Sequence, residues 1–202
     1  MLADAANVLA LDAMGVIYAV GDDVADLLIP FIRENGGIDD IHRIEAEYIE
    51  ASLGKMQPTE FWRRVGVSPQ LEEEYLSLFR LSDGILELLQ LASSRFERLV
   101  CLSNDLSQWS RKLRQKFGLE QYFAAWYISG DLGLRKPDSR IYQRMIDDLD
   151  IAPGKLLFVD DRVKNLDPAA KLGIQTRYYD SSRKGFSESH RTIHQLASLL
   201  SD

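Results

Sequence analysis

Cysteine is nearly missing from this chain: Cys101 alone among 202 residues, which excludes an intrachain disulfide and any CxxC metal site. Its neighbours in Leu99-Val100-Cys101-Leu102 are apolar, so a buried strand thiol is expected rather than a reactive one. Long hydrophobic runs are also missing; none approaches the roughly 20 residues of a membrane span. The first residues lack the basic start and apolar core of a secretory signal, so a soluble cytoplasmic protein is expected. Excess positive charge is absent. With 24 Lys and Arg against 31 Asp and Glu, the net charge is −7 and the isoelectric point near 5.1. That balance argues against nucleic acid or an anionic membrane as partner, while a local basic pocket for a small anion stays open. Internal repeats and low-complexity tracts are lacking too.

What is present is apolar patterning, with 46% hydrophobic residues, enough for one sizeable core or a core plus a small accessory domain. Five short apolar runs read as buried parallel strands: Asn7–Leu11, Arg98–Leu102, Ala125–Ile128, Leu156–Val159 and Thr176–Tyr179. Amphipathic stretches at Ser107–Phe117, Ser139–Leu149 and Lys164–Leu172 separate the later four. Strand and helix alternate, which predicts an α/β three-layer sandwich around a parallel sheet with right-handed crossovers. Between the first two strands the pattern is helical throughout, at Asp22–Asn35, Asp39–Ser52, Thr59–Val65 and Gln70–Phe79. Pro58-Thr59-Glu60 and Ser68-Pro69 supply helix-entry signals. A helix at Asp83–Ser93 returns the chain to the sheet. Residues 19–81 are therefore expected to form an all-helical cap inserted into a core made of residues 1–18 and 82–202.

Four polar segments follow strands, where open α/β sheets place their ligand crevice. Asp12 ends the first strand, and Gly15 suits a tight turn after it. Ser103 and Asn104 follow the second. Arg135-Lys136-Pro137-Asp138 offers a basic pair at a helix entrance, and Asp160-Asp161 closes the strand Leu157-Phe158-Val159. Singly, each has an ordinary explanation: acid pairs cap helices, Lys-Pro is a common loop dipeptide, and Ser-Asn-Asp caps the helix that follows. Together an acid, a hydroxyl, a lysine and an acid pair, each after a strand, would converge on one crevice.

The order Asp12…Ser103…Lys136…Asp160-Asp161 resembles the four motifs of the haloacid-dehalogenase-like hydrolases, and the helical insertion resembles the cap of their subclass I. The resemblance runs from about residue 6 to residue 180. Its most specific parts are Arg135-Lys136-Pro137-Asp138…Tyr142 and Phe158-Val159-Asp160-Asp161…Asn165…Ala169-Ala170…Gly173. It implies a Rossmann-like core and a phosphatase that acts on a small phosphorylated metabolite, with Asp12 as the nucleophile that forms an aspartyl-phosphate. It also implies Mg²⁺ held by Asp12, the backbone carbonyl of Met14, Asp160 and Asp161. Ser103, Asn104 and Lys136 would bind the phosphoryl group, and Asn165 would orient an acid of the pair.

One position departs from the phosphatases of this family, which carry a second Asp two residues after the nucleophile as general acid and base. Here Met14 stands there. Acid–base assistance is worth about 10²–10⁴ in rate, so Arg162, Asp105 or a cap residue must substitute, or turnover is impaired. Three alternatives follow. Haloacid dehalogenases need no leaving-group proton but lack the Asp160-Asp161 metal pattern. Phosphonate hydrolases use a cap lysine, for which Lys55 is the candidate. A binding or regulatory protein with little turnover is the third. His42, His190 and His194 are expected at surface or helix positions. Phe61, Trp62, Trp109 and Trp126 read as packing residues, and Arg63-Arg64 and Arg111-Lys112 as solvated helix faces. Asp22-Asp23 either lines the cap entrance or caps a helix, the second being the ordinary reading of such a pair. The oligomeric state is not legible.

Overall fold

The computed structural model describes residues 6–201. Strands β1 (Val8–Leu11), β2 (Arg98–Ser103), β3 (Ala125–Ile128), β4 (Leu156–Asp160), β5 (Gln175–Tyr179) and β6 (Arg191–Ile193) form one sheet. Their order is β3-β2-β1-β4-β5-β6, and every pairing is parallel. The five expected strands are present within a residue or so of their expected bounds. Successive side chains point to opposite faces, and both faces are covered. Leu9, Leu11, Cys101, Leu157 and Val159 pack into one apolar cluster. Val8, Ala10, Val100, Leu102, Leu156 and Phe158 pack into the other.

Between β1 and β2 run α1 (Ile29–Glu34), α2 (Ile41–Ser52), α3 (Pro58–Arg64), α4 (Glu72–Ser77) and α5 (Ile85–Leu91). Then come α6 (Ser107–Lys116), α7 (Ser129–Leu132), α8 (Ser139–Leu149) and α9 (Val163–Lys171). Helix α8 is amphipathic for a plain reason: Ile141, Tyr142, Met145, Ile146 and Leu149 recur at helical spacing and all lie in the second cluster. On the opposite face α5 and α6 supply Ile85, Leu88, Trp109 and Leu113. No described helix is long and apolar enough to cross a membrane.

Three details differ from expectation. The single helix expected over Asp22–Asn35 is a π turn, Val24–Leu28, followed by α1. Pro30, in the first turn of α1, has no N–H for the carbonyl one turn back, and upstream the Ile29 N–H reaches Val24 O, five residues away. Strand β6 was not expected; it has three residues and only Ile193 is buried. His190, expected at the surface or on a helix, is buried in the connection before β6. Its ring lies 2.8 Å from Thr176 Oγ1 and 3.1 Å from Asp167 Oδ1.

The stretches that enter and leave the helical segment lie side by side. Tyr18 bridges to Leu81, Ala19 N–H donates to Arg80 O at 3.0 Å, and Ser82 N–H donates to Ile17 O at 2.9 Å.

Candidate active site

The strand register places the polar segments. Leu11 stands level with Cys101 of β2 and Val159 of β4, so the next residue, Asp12, emerges beside the last residues of both neighbours. Its N–H donates to Val159 O at 2.9 Å. Strand β1 sits where connections leave in opposite directions, with β2 on one side and β4 on the other. That is the crevice at which open α/β sheets bind ligands.

Gly15 turns the chain away at φ +76°, and a Cβ there would overlap the Asp161 carboxylate. The turn brings Asp161 against the loop after β1. Asp12, Asp160 and Asp161 each offer a carboxylate oxygen, all within 4.8 Å of one another. Lys136 Nζ donates to Asp12 Oδ1 at 2.7 Å and to Asp160 Oδ2 at 2.8 Å. Asp12 Oδ1 also accepts from Ala13 N–H at 2.6 Å. Asp160 is further held by Arg162 N–H at 2.8 Å and by Asn165 Nδ2, 3.0 Å from each carboxylate oxygen.

Asn104 is committed to Lys136. Its Nδ2 donates to Lys136 O at 2.9 Å, and its Oδ1 accepts from Lys136 N–H at 2.8 Å. The Ser103 hydroxyl, at the end of β2, is buried and without a hydrogen-bond partner among the described residues, as is Asp161 Oδ1.

Burial and the neighbouring Asp160 charge raise the proton affinity of the Asp12 carboxyl, against the pull of Lys136. The same two causes push Asp161 up to about 7. Lys136 is held above its usual range: burial alone would lower it, but Asp12 and Asp160 outweigh that. Three crowded carboxylates against one ammonium leave excess negative charge and oxygen donors, the chemistry that suits a hard divalent cation. The unpartnered Asp161 Oδ1 fits the same need.

Asp12, Met14, Asn104, Lys136 and Asn165, but not Ser103, Asp160 or Asp161, line a cavity of about 290 Å³ whose other wall comes from the helical segment, through Asp22, Asp23, Val24, Glu45, Tyr48 and Ile49. The acid pair there divides its work. Asp22 accepts from Ala25 N–H at 3.1 Å, the expected cap. Asp23 is buried and makes no cap bond; its Oδ2 lies 3.3 Å from the Tyr48 hydroxyl oxygen. Helix α2 is tied to the core at its end, where Ser129 Oγ donates to Ser52 O at 2.5 Å and Arg135 bonds Ser52 Oγ. Tyr48 and Arg135 were not singled out from the sequence as cavity residues, since a tyrosine at helical spacing and one half of an Arg-Lys dipeptide carry no such signal. Other candidates lie elsewhere. Lys55 pairs with Glu50 at 2.8 Å on the surface and is not among the cavity residues. Asp105 is buried off the cavity and accepts from Leu106 N–H at 2.7 Å. Arg162 lines the cavity, donating to Gly21 O at 2.5 Å.

A family model described as haloacid dehalogenase-like hydrolase matches residues 6–173. Flavin mononucleotide hydrolase 1 of Arabidopsis thaliana, a chloroplast protein by its name, is 31% identical over 105 residues, which cover 52% of this chain and 42% of that protein. (S)-2-haloacid dehalogenase 4A of Burkholderia cepacia is 28% identical over 113 residues, covering 56% and 48%. The chain thus spans about half the length of these curated relatives. A solved HAD family enzyme of Bacteroides thetaiotaomicron, in complex with magnesium and inorganic phosphate, aligns with a TM-score of 0.75 at 22% identity, over 92% of this chain and 100% of that one. At that identity the likeness is one of fold.

Proposed function

The chain belongs to the haloacid dehalogenase-like hydrolases, and from that premise we propose that it is a Mg²⁺-dependent phosphatase of small phosphorylated metabolites that works through an aspartyl-phosphate on Asp12. One observation carries the reading: Asp12, Asp160 and Asp161 converge within 4.8 Å beside a cavity large enough for a small ligand. The relatives' names include both a phosphate-ester hydrolase and a dehalogenase, so the names do not choose the reaction. The three acids favour phosphoryl transfer, because a halide displacement has no use for a cation site.

Mg²⁺ would be held by Asp12, Asp160, the main-chain carbonyl of Met14 and Asp161, and would supply neutralisation of charge on the phosphoryl oxygens. Asp12 attacks phosphorus through Oδ2, while Oδ1 stays fixed by Lys136 and Ala13 N–H. Lys136 offsets the anionic charge that gathers as Asp12 meets the phosphoryl group. The Ser103 hydroxyl donates to a phosphoryl oxygen, which gives the buried group its missing partner. Asn104 contributes through Lys136, since both ends of its amide are taken by that residue's main chain. Asn165 orients Asp160.

Residues 19–81 form the cap and residues 1–18 with 82–202 the core, in this reading. The paired connections at Tyr18 and Leu81 and the two-sided cavity wall support that division. The cap would close over the leaving group and exclude water.

The test is a phosphate-release screen of small monoesters with Mg²⁺. Wild type is expected to turn over some of them, and Asp12→Asn to lose at least about 10³-fold, as nucleophile removal does elsewhere. Activity that persists in Asp12→Asn would refute the nucleophile; removal of Mg²⁺ with a chelator without loss would refute the metal.

A further inference from the structure

We infer that Asp23, contributed by the helical segment, is the acid that protonates the leaving group, in place of an acid at position 14. This rests on the phosphatase reading above. Of the three acids that the helical segment brings to the cavity, Asp22 and Glu45 are exposed and Asp23 alone is buried. Asp22 is used as a cap. Asp23 lines the same cavity as Met14 and Asp12, and its stretch of chain is drawn to the strand ends: Arg162 reaches from the loop after β4 to Gly21 O and lies 3.7 Å from Asp22.

The hydrogen-bond pattern favours a proton on Asp23. The Tyr48 hydroxyl lies 3.3 Å from both Asp23 Oδ2 and Asn104 O. A phenol has one proton for two acceptors. Both contacts are satisfied together only when Asp23 carries a proton and donates to the Tyr48 oxygen, while Tyr48 donates to the carbonyl. The groups facing Asp23 are Asp22, Tyr48 and Tyr75 from the helical segment, with Asp105 and Arg162 from the core. Burial outweighs Arg162 and pushes Asp23 up to about 6, near the value at which one group both gives and takes a proton in neutral solution.

The steps balance as follows. Asp12 Oδ2 forms a bond to phosphorus as the phosphorus–oxygen bond to the leaving group breaks. That electron pair stays on the leaving oxygen, which takes the Asp23 proton and departs as an alcohol. Asp23, now a carboxylate, accepts a proton from a water molecule whose oxygen attacks phosphorus. The bond to Asp12 breaks, its electrons return to the Asp12 carboxylate, inorganic phosphate leaves, and Asp23 is again protonated.

The experiment compares wild type, Asp23→Asn and the double variant Asp23→Asn/Met14→Asp, each with Mg²⁺, on glycerol phosphate and on p-nitrophenyl phosphate. Nitrophenolate leaves without a proton; an alkoxide does not. Asp23→Asn is expected to lower turnover of the alkyl ester by about 10²–10⁴. Its first-turnover burst of nitrophenolate should stay close to the wild-type rate, with slow turnover after it. The double variant should regain part of the alkyl-ester activity. Equal first-turnover losses on both esters, or alkyl turnover that survives Asp23→Asn, overturns the assignment. A wild type that releases phosphate from neither ester overturns the phosphatase reading itself, and the assignment with it.

Discussion

Gly15 sets the separation between the loop after β1 and the acid pair after β4. At φ +76° it occupies a conformation that side chains resist, and a Cβ would overlap Asp161. Gly15→Ala is therefore expected to cost about 1–2 kcal/mol from the backbone alone and to displace the Asp161 carboxylate. Urea denaturation reads the first effect, and calorimetric titration of Mg²⁺ the second. Wild-type Mg²⁺ affinity in Gly15→Ala would show that Asp161 is not needed for the cation. At this scale the strand-end acids, the lysine and the glycine were legible, because each follows an apolar strand by a fixed number of residues. Asp23 was not. An acid pair before a helix signals a cap, and Asp22 answers that signal. Which way the next residue faces depends on the π turn that follows it, and nothing local announces that turn.

Among the elements, one carboxylate ties the helical segment to α6. Glu72, at the start of α4, accepts from Trp62 Nε1 of α3 at 3.0 Å and from Trp109 Nε1 of α6 at 2.9 Å, and pairs with Lys112 Nζ at 2.6 Å. The two tryptophans are fully buried and 5.3 Å apart between ring centroids. Glu72→Ala would strand two buried N–H donors at about 1–3 kcal/mol each. The expected loss of stability is about 2–6 kcal/mol, with a smaller loss in Glu72→Gln, whose amide oxygen still accepts. Equal stability of the two variants in urea would remove the hydrogen bonds as the cause. The tryptophans were legible as packing residues from their helical spacing. Their shared acceptor was not, since Glu72-Glu73-Glu74 reads as a charged face and only the fold selects the first of the three. Lys112, read as part of a solvated face, is the surface partner of that buried acid. Strand β6 was hidden for a related reason: Arg191-Thr192-Ile193 is too short and polar to mark a strand, and it pairs because β5 presents an open edge.

Over the whole molecule, the balance of charge at the sheet's edge links ligand to stability. Three carboxylates face one ammonium, so a divalent cation that binds only the folded chain raises its stability. At one hundred times its dissociation constant the gain is about 2.7 kcal/mol, roughly 5–10 °C in melting temperature for a chain of this size. Thermal unfolding with and without Mg²⁺ measures it. Asp160→Asn should abolish the Mg²⁺-dependent shift, whatever it does to the melting temperature itself. A shift of equal size in that variant, or none in wild type, would count against the cation site.

Apolar runs and their alternation with amphipathic stretches determined the parallel α/β sheet by themselves, because strand and helix periods are local properties of the chain. The order of acid, hydroxyl, lysine and acid pair pointed to the family for the same reason: each group is tied to the end of its own strand. Tertiary structure alone decided which wall of the cavity Asp23 joins, which glutamate the tryptophans share and that Arg135 lies over the Tyr48 ring, 5.6 Å from its centroid. Those contacts join residues far apart in the chain, and their directions come from how the helices settle on the sheet.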